Sequence, residues 1–212
     1  GMHLASLFLL PDAAQLAGKA LLMPLLMGAA WMAPHFSGKR LLLGALFLSW
    51  AGDVGIEFNF TLGLAAFLAA HICYILLFYQ AIVSRPRSKP YLWFGWALLV
   101  LFVIGLLSVL LSNAGALKIP VAVYAIVIGN MLGLAIAGLS HWPAAPAGRI
   151  AAGAALFVLS DSLLAWNKFN APLPLADLLV MLTYMAAQYT IVKGVLMLAA
   201  GDGVPEAKQS RV

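Results

Sequence analysis

The stretches LFLSWAGDVGIEFN (residues 46–59) and ALFVLSDSLLAWNKFN (155–170) are long apolar runs that each carry an aspartate, Asp53 and Asp161, in matching contexts. An acidic side chain near the centre of a membrane helix costs about 2.5–3.5 kcal/mol on insertion scales, so a chain with two of them is expected to turn both toward a polar site between helices. Composition agrees with a membrane setting. Of 212 residues, 64% are hydrophobic and 9% charged, with a mean hydropathy of +1.01; a soluble domain carries roughly 25% charged residues. We therefore expect an all-α, polytopic transmembrane helical bundle of seven to eight helices, forming one integral membrane domain over 1–212.

Hydropathy with Pro, Gly and charge as punctuation predicts helices at about 13–33, 41–58, 62–83, 91–112, 119–139, 149–167 and 175–199. Residues 2–12 read as a shortened N-terminal helix and 201–212 as a polar tail. Placing successive loops on alternate sides gathers Lys39, Arg40, Arg85, Arg87, Lys89, Arg149, Lys208 and Arg211 on one side, against Lys118 and Lys168 on the other. The positive-inside rule makes the rich side cytoplasmic, the C-terminus included, in a multi-pass protein of the bacterial cytoplasmic (inner) membrane. The net charge of +5 thus sets topology, and no nucleic-acid face is expected. Cys73 stands alone in the sequence, which excludes an intrachain disulfide and a thiolate metal cluster.

The two aspartate regions resemble each other beyond the acid. Asp53 is followed at the fifth and sixth positions by Phe58 and Asn59, and Asp161 by Trp166 and Asn167. The next helices carry AAHICY around His71 and AAQY around Gln188. Corresponding helices are four apart, so the pattern suggests a parallel internal repeat about an axis along the membrane normal. By helical rise, Asp53 lies roughly 18 Å past Leu41 and Asp161 roughly 16 Å past Ile150, so both carboxyls are expected at similar depth beyond the midplane.

Other polar residues are candidates for the same cavity. His71 and Tyr74 share a helix face with Phe67 and Phe78, while Asp177, Tyr184 and Gln188 form a stripe on the last helix; Asn130 and Lys19 are weaker candidates. Tyr, Gln and Asn in membrane helices often serve only as interhelical hydrogen-bond glue. Glu57, Asn59, Asn167, Lys168 and Asp177 also read as solvated helix ends. No GxSxG, Walker or HExxH motif is present, which leaves carboxyl acid–base chemistry without cofactor or metal. One acid of a neighbouring pair can hold a proton while its partner stays ionised.

At these residues the chain resembles the YhhN-type lysoplasmalogenase family, through GDV at 52–54, AFLAAHICY at 66–74, SDSLLAWNKF at 160–169 and LVMLTYMAAQ at 179–188. The family tends to open a helix with a Lys-Pro pair, whereas Lys19 is followed here by Ala20. The resemblance implies hydrolysis of the vinyl ether of lysoplasmalogens, releasing a fatty aldehyde and a glycerophospho-ethanolamine or glycerophosphocholine, with Asp53 and Asp161 as the essential acids. On that basis Asp161 is expected as the acid and Asp53 as stabiliser and base. His71, Tyr74, Asn59, Asn167, Lys168, Tyr184 and Gln188 would bind or orient a lysophospholipid substrate with an alkenyl chain, drawn from the membrane lipids. Its chain would lie among Phe47, Phe67 and Phe157, with the headgroup near Lys168 or Lys19. The competing expectation is a proton-linked transporter or lipid-binding membrane protein, which would show broken helices and two openings rather than one blind apolar cavity. Nothing in the sequence sets an oligomeric state.

Overall fold

The computed structural model describes residues 12–85 and 92–202, without the side chains of 12–20, 92–95, 98 and 202. The side chain of Lys19, the stretch before residue 12 and the polar tail beyond Asp202 therefore lie outside the described part of the molecule. Within the described residues the chain forms seven α-helices: α1 (Asp12–Met32), α2 (Lys39–Phe58), α3 (Phe60–Val83), α4 (Leu92–Asn113), α5 (Lys118–Gly138), α6 (Ala144–Phe169) and α7 (Ala176–Asp202). Five of these, α2, α3, α5, α6 and α7, are long and apolar enough to cross a membrane.

The turns explain where the helices stop. Asn59 alone separates α2 from α3, and its Oδ1 accepts from the backbone N–H of Thr61 (2.9 Å) and Leu62 (3.2 Å), capping α3 so closely that the two helices start and end within two residues of each other. Gly38 takes a left-handed φ of 92° before α2, a conformation that a side chain resists. Lys39 then donates to the carbonyls of Trp31 (2.7 Å) and Ala33 (2.5 Å), satisfying the exposed end of α1. α6 begins at Ala144, five residues earlier than hydropathy predicts. Pro143 precedes its first turn and Pro146 lies within it, where a missing N–H is tolerated, so the two prolines start the helix rather than delay it.

The helices associate as α1–α2–α3–α5–α6–α7 and back to α1, with α4 packed on α5 and, more lightly, on α6. The tightest pairs are α2 with α3 and α6 with α7, and each depends on a glycine at the crossing. A Cβ on Gly63 would sit 2.7 Å from the backbone of Ile56, and one on Gly153 would sit 2.9 Å from the carbonyl oxygen of Ala187. Small residues at such crossings let backbones approach closely, which drives association where lipid gives no hydrophobic contrast. These two hairpins carry the two matching aspartate regions. Between them lies a buried core that includes Tyr74, Phe78, Phe157, Met131 and Ile191.

Candidate active site

Both aspartates lie near the same end of the bundle. Asp53 is five residues from the end of α2 and Asp161 eight from the end of α6, roughly 7 and 12 Å by helical rise. That end holds Asn59, Lys118, Phe169 and Asp177; the opposite end holds Lys39, Arg40, Arg85 and Arg149. Packed rings connect the two aspartates: Tyr184, which bonds Asp53, meets Phe157 at 5.4 Å, and Phe157 meets His71 beside Asp161 at 4.6 Å.

Their surroundings differ. The Asp53 carboxylate accepts from the hydroxyl of Tyr184 on α7 at 2.9 Å. One turn deeper, Gln188 donates to Ser49 Oγ (2.9 Å) and accepts from Tyr74 (2.5 Å), so Tyr74, Gln188 and Ser49 form a buried relay behind Asp53. Asp161 accepts from the hydroxyl of Tyr124 on α5 at 2.5 Å, and Nε2 of His71 lies 3.9 Å from the same carboxylate oxygen.

The state of His71 follows from its partners. Its Nδ1 lies 2.7 Å from the carbonyl oxygen of Phe67, which can only accept, so Nδ1 carries a hydrogen. In the neutral ring Nε2 is then an acceptor; it is buried, has no hydrogen-bond partner among the described residues and faces Asp161. The imidazole is clamped edge-to-face by Phe157 (centroids 4.6 Å) and Tyr124 (5.4 Å). It presents a fixed lone pair toward the carboxyl of Asp161.

An apolar cavity opens beside this group, between α3, α4, α5 and α6 and the end of α2. Phe60, Phe67, Phe102, Leu106 and Gly129 help to line it, and its polar lining is Asp161, Tyr124 and Ser162. At the bundle end of the cavity Phe60 and Phe169 meet edge-to-face at 5.8 Å, and the Lys168 ammonium stands 5.1 Å from the Phe60 ring centroid. A cation thus marks the mouth and a carboxyl the interior.

Several sequence expectations change here. Only Asp161 lines the cavity; Asp53 sits behind it. Phe47 is 54% exposed on the bundle surface and Phe157 is wholly buried beside His71, so of the three expected chain-contacting rings Phe67 alone lines the cavity. Asn59 caps α3, and Asn167 Oδ1 accepts from the N–H of Leu173 at 2.9 Å, holding the α6–α7 turn. Those amide oxygens serve the backbone. Asn130 donates to the Ile126 carbonyl on an exposed face, and Asp177 and Glu57 are exposed, because their positions fall outside the interior faces of α5, α7 and α2. Tyr124 is the residue that sequence reading misses: it is a lone phenol on α5, 37 residues from Asp161 and outside the two matching aspartate regions.

The sequence signature of the YhhN family matches residues 14–195. Lysoplasmalogenase TMEM86B of Homo sapiens is 37% identical over 173 residues, 78% of this chain and 68% of that protein. The protein of the same name from Sus scrofa is 38% identical over 154 residues, covering 71% of this chain and 61% of its own length. A lysoplasmalogenase of Mycobacterium tuberculosis is 32% identical over 214 aligned positions, which cover 92% of this chain and 78% of that protein. No solved structure matches. With the signature spanning most of the molecule and such relatives at this identity, the chain belongs to the YhhN family.

Proposed function

We propose that this multi-pass membrane protein hydrolyses the vinyl-ether bond of lysoplasmalogens, releasing a fatty aldehyde and a glycerophospho-ethanolamine or glycerophosphocholine. Relatives named lysoplasmalogenase support the substrate class. The observation that carries the chemistry is a carboxyl, Asp161, on the wall of an otherwise almost wholly apolar cavity, with a second carboxyl, Asp53, held by Tyr184 near the same end of the bundle. A lipid tail needs the apolar wall, and vinyl-ether cleavage needs one proton delivered to carbon.

In this reading Asp161, protonated, gives its proton to the β vinyl carbon, the one not bonded to the ether oxygen. The electron pair of the double bond forms the new C–H bond, leaving an oxocarbenium ion beside two carboxylates, and Asp53 supports that positive charge without touching the lipid. Water adds to the cation as Asp161 takes back a proton. The resulting hemiacetal collapses to aldehyde and glycerol hydroxyl, with Asp161 protonating the leaving oxygen. Tyr124 holds the Asp161 carboxyl in place, and the His71 lone pair keeps a proton within its reach. Tyr184, braced through the α7 stripe that also carries Gln188, fixes Asp53. Lys168 at the mouth attracts the headgroup phosphate.

The positive-inside asymmetry puts the Lys39, Arg40, Arg85 and Arg149 end on the cytoplasmic side, together with the C-terminus, and so turns the cavity mouth to the opposite face. A proton-linked transporter is less well supported, because the five spanning helices run unbroken and the cavity is apolar rather than a polar passage. The test is incubation of purified protein with 1-alkenyl-lysophospholipid while aldehyde release is followed for wild type, Asp53→Asn and Asp161→Asn. Aldehyde from wild type and its loss in Asp161→Asn support the reading; a silent wild type, or full rates in both variants, overturns it.

A further inference from the structure

The cavity is shallower than the lipid it is proposed to receive. Below Asp161 the last lining residue of α6 is Val158, three positions on and about 4–5 Å away by helical rise; on α5 the lining runs from Tyr124 to Gly129, about 7–8 Å. A tail that reaches through one leaflet traverses roughly 15 Å, half of a hydrocarbon core about 30 Å thick. A reacting group held at Asp161 therefore leaves part of its chain without room underneath. At the depth of Gly129, α4 and α5 pack closely: a Cβ on Gly129 would meet Val103 at 3.2 Å. The surplus chain must pass through a wall.

The walls are unequal. α5 and α6 pack directly on each other, α3 packs on α5, and α4 is joined to α5 by close packing and to α6 near Asn113, whose amide lies 3.5 Å from Asn170. Among the described residues there is no extensive helix contact between α4 and the α2–α3 hairpin, and the cavity is closed there by side chains, Phe102 and Leu106 facing Phe60 and Leu64. Phe102 is also 46% exposed on the outer surface, while every other lining residue is buried or half-buried. One ring lines the cavity and touches what surrounds the bundle.

We propose that the seam between α3 and α4 is a lateral portal through which a single-chain lipid slides from the bilayer to Asp161, its tail lying across Phe102 and continuing into the membrane. The inference rests on the proposed hydrolysis for its substrate, but it makes a separate statement about where the tail lies. A side portal needs no wide channel through the bundle, since an alkyl chain leaves lipid for an equally apolar wall at little cost. It also makes the reaction tolerant of chain length beyond the portal, because the distal carbons stay in the bilayer.

A binding test separates the two ideas. A benzophenone side chain is placed at position 102, and at the neighbouring lipid-facing position 101 as control, in full-length protein in phosphatidylcholine vesicles holding a non-hydrolysable 1-alkyl-lysophospholipid. Cross-linking at 102 that is competed by excess 1-alkyl-lysophospholipid, against uncompeted background at 101, supports the portal whether or not aldehyde is ever released. Equal, uncompeted labelling at the two sites overturns it. For turnover, Phe102→Arg is expected to lower aldehyde release from long-chain substrate about tenfold, in the range seen for hydrophobic-pocket discrimination, while a substrate with a tail short enough to end inside the cavity changes less than about twofold. Leu101→Ala, at the exposed neighbouring position outside the cavity lining, is expected to keep the long-chain rate. Equal losses on short and long chains in Phe102→Arg would also overturn the portal.

Discussion

The two aspartate halves of the bundle begin as near copies and end as different environments. In each, an acid lies on the first helix of a tightly packed hairpin, and a tyrosine donates to it from a different helix. Around Asp53 the space is closed by bonds from the other hairpin: Tyr184 of α7 bonds the carboxylate, and Tyr74, Gln188 and Ser49 fill the space one turn deeper. The Asp161 half opens, with His71 on one side of the carboxyl and an apolar cavity on the other. The two acids lie near one end of the bundle, and asymmetric neighbours give them different surroundings. The Phe67 and Tyr184 positions show how: they correspond across the repeat, yet one is a ring on the cavity wall and the other a hydrogen-bond donor to Asp53.

If the halves are as unequal as their surroundings, substitutions should rank accordingly. Asp161→Asn removes the proton donor itself and is expected to lower kcat for aldehyde release by about 10³-fold or more, toward the upper part of the roughly 10²–10⁴-fold range of acid–base catalysis, measured with purified protein and 1-alkenyl-lysophospholipid. Asp53→Asn should cost about 10²-fold through lost charge stabilisation, with little change in KM. Equal losses in the two variants would break the comparison by making the acids interchangeable.

Tyr124→Phe and Tyr184→Phe each delete one donor to one aspartate, and sharpen the ranking further. The first is expected to slow kcat about tenfold and the second about threefold, magnitudes consistent with losing a hydrogen bond of about 0.6–1.4 kcal/mol. A larger loss for Tyr184→Phe would move the reacting centre toward Asp53. Smaller effects belong to the relay: Gln188→Leu leaves Tyr74 and Ser49 without their partner and should lower thermal stability by about 1 kcal/mol, near the range for interhelical bonds in membranes. Asn59→Ala should lower stability by about 1 kcal/mol through the lost cap and leave kcat and KM for the lysolipid unchanged, the result that separates capping from substrate binding.

Legibility in the sequence follows the range of the interaction. Asp53 and Asp161 are conspicuous because a carboxylate in an apolar run is expensive wherever the helix packs, and the helices themselves are set by local hydrophobicity and length. Asn59 and Asn167 stand out for the same reason, yet their oxygens turn to backbone N–H groups at nearby turns, an outcome that repeat symmetry gives no hint of. Tyr124 is silent in the sequence because its importance comes from a contact 37 residues away on another helix. Phe47 misleads because its place in the chain says nothing about which side of α2 faces lipid.

Local chemistry thus determined that this protein is a membrane bundle with two acids inside apolar helices, since hydropathy, helical rise and the energetic penalty on a charge in lipid act on each segment alone. Which acid meets the cavity was decided only when the helices came together. The register of α5 against α6 brings Tyr124 to Asp161, the packing of α3 aims His71 at it, and the outlying position of α4 leaves an apolar hollow on that side. Those placements arise from side chains meeting between helices distant in sequence, and no pattern within a single helix encodes them.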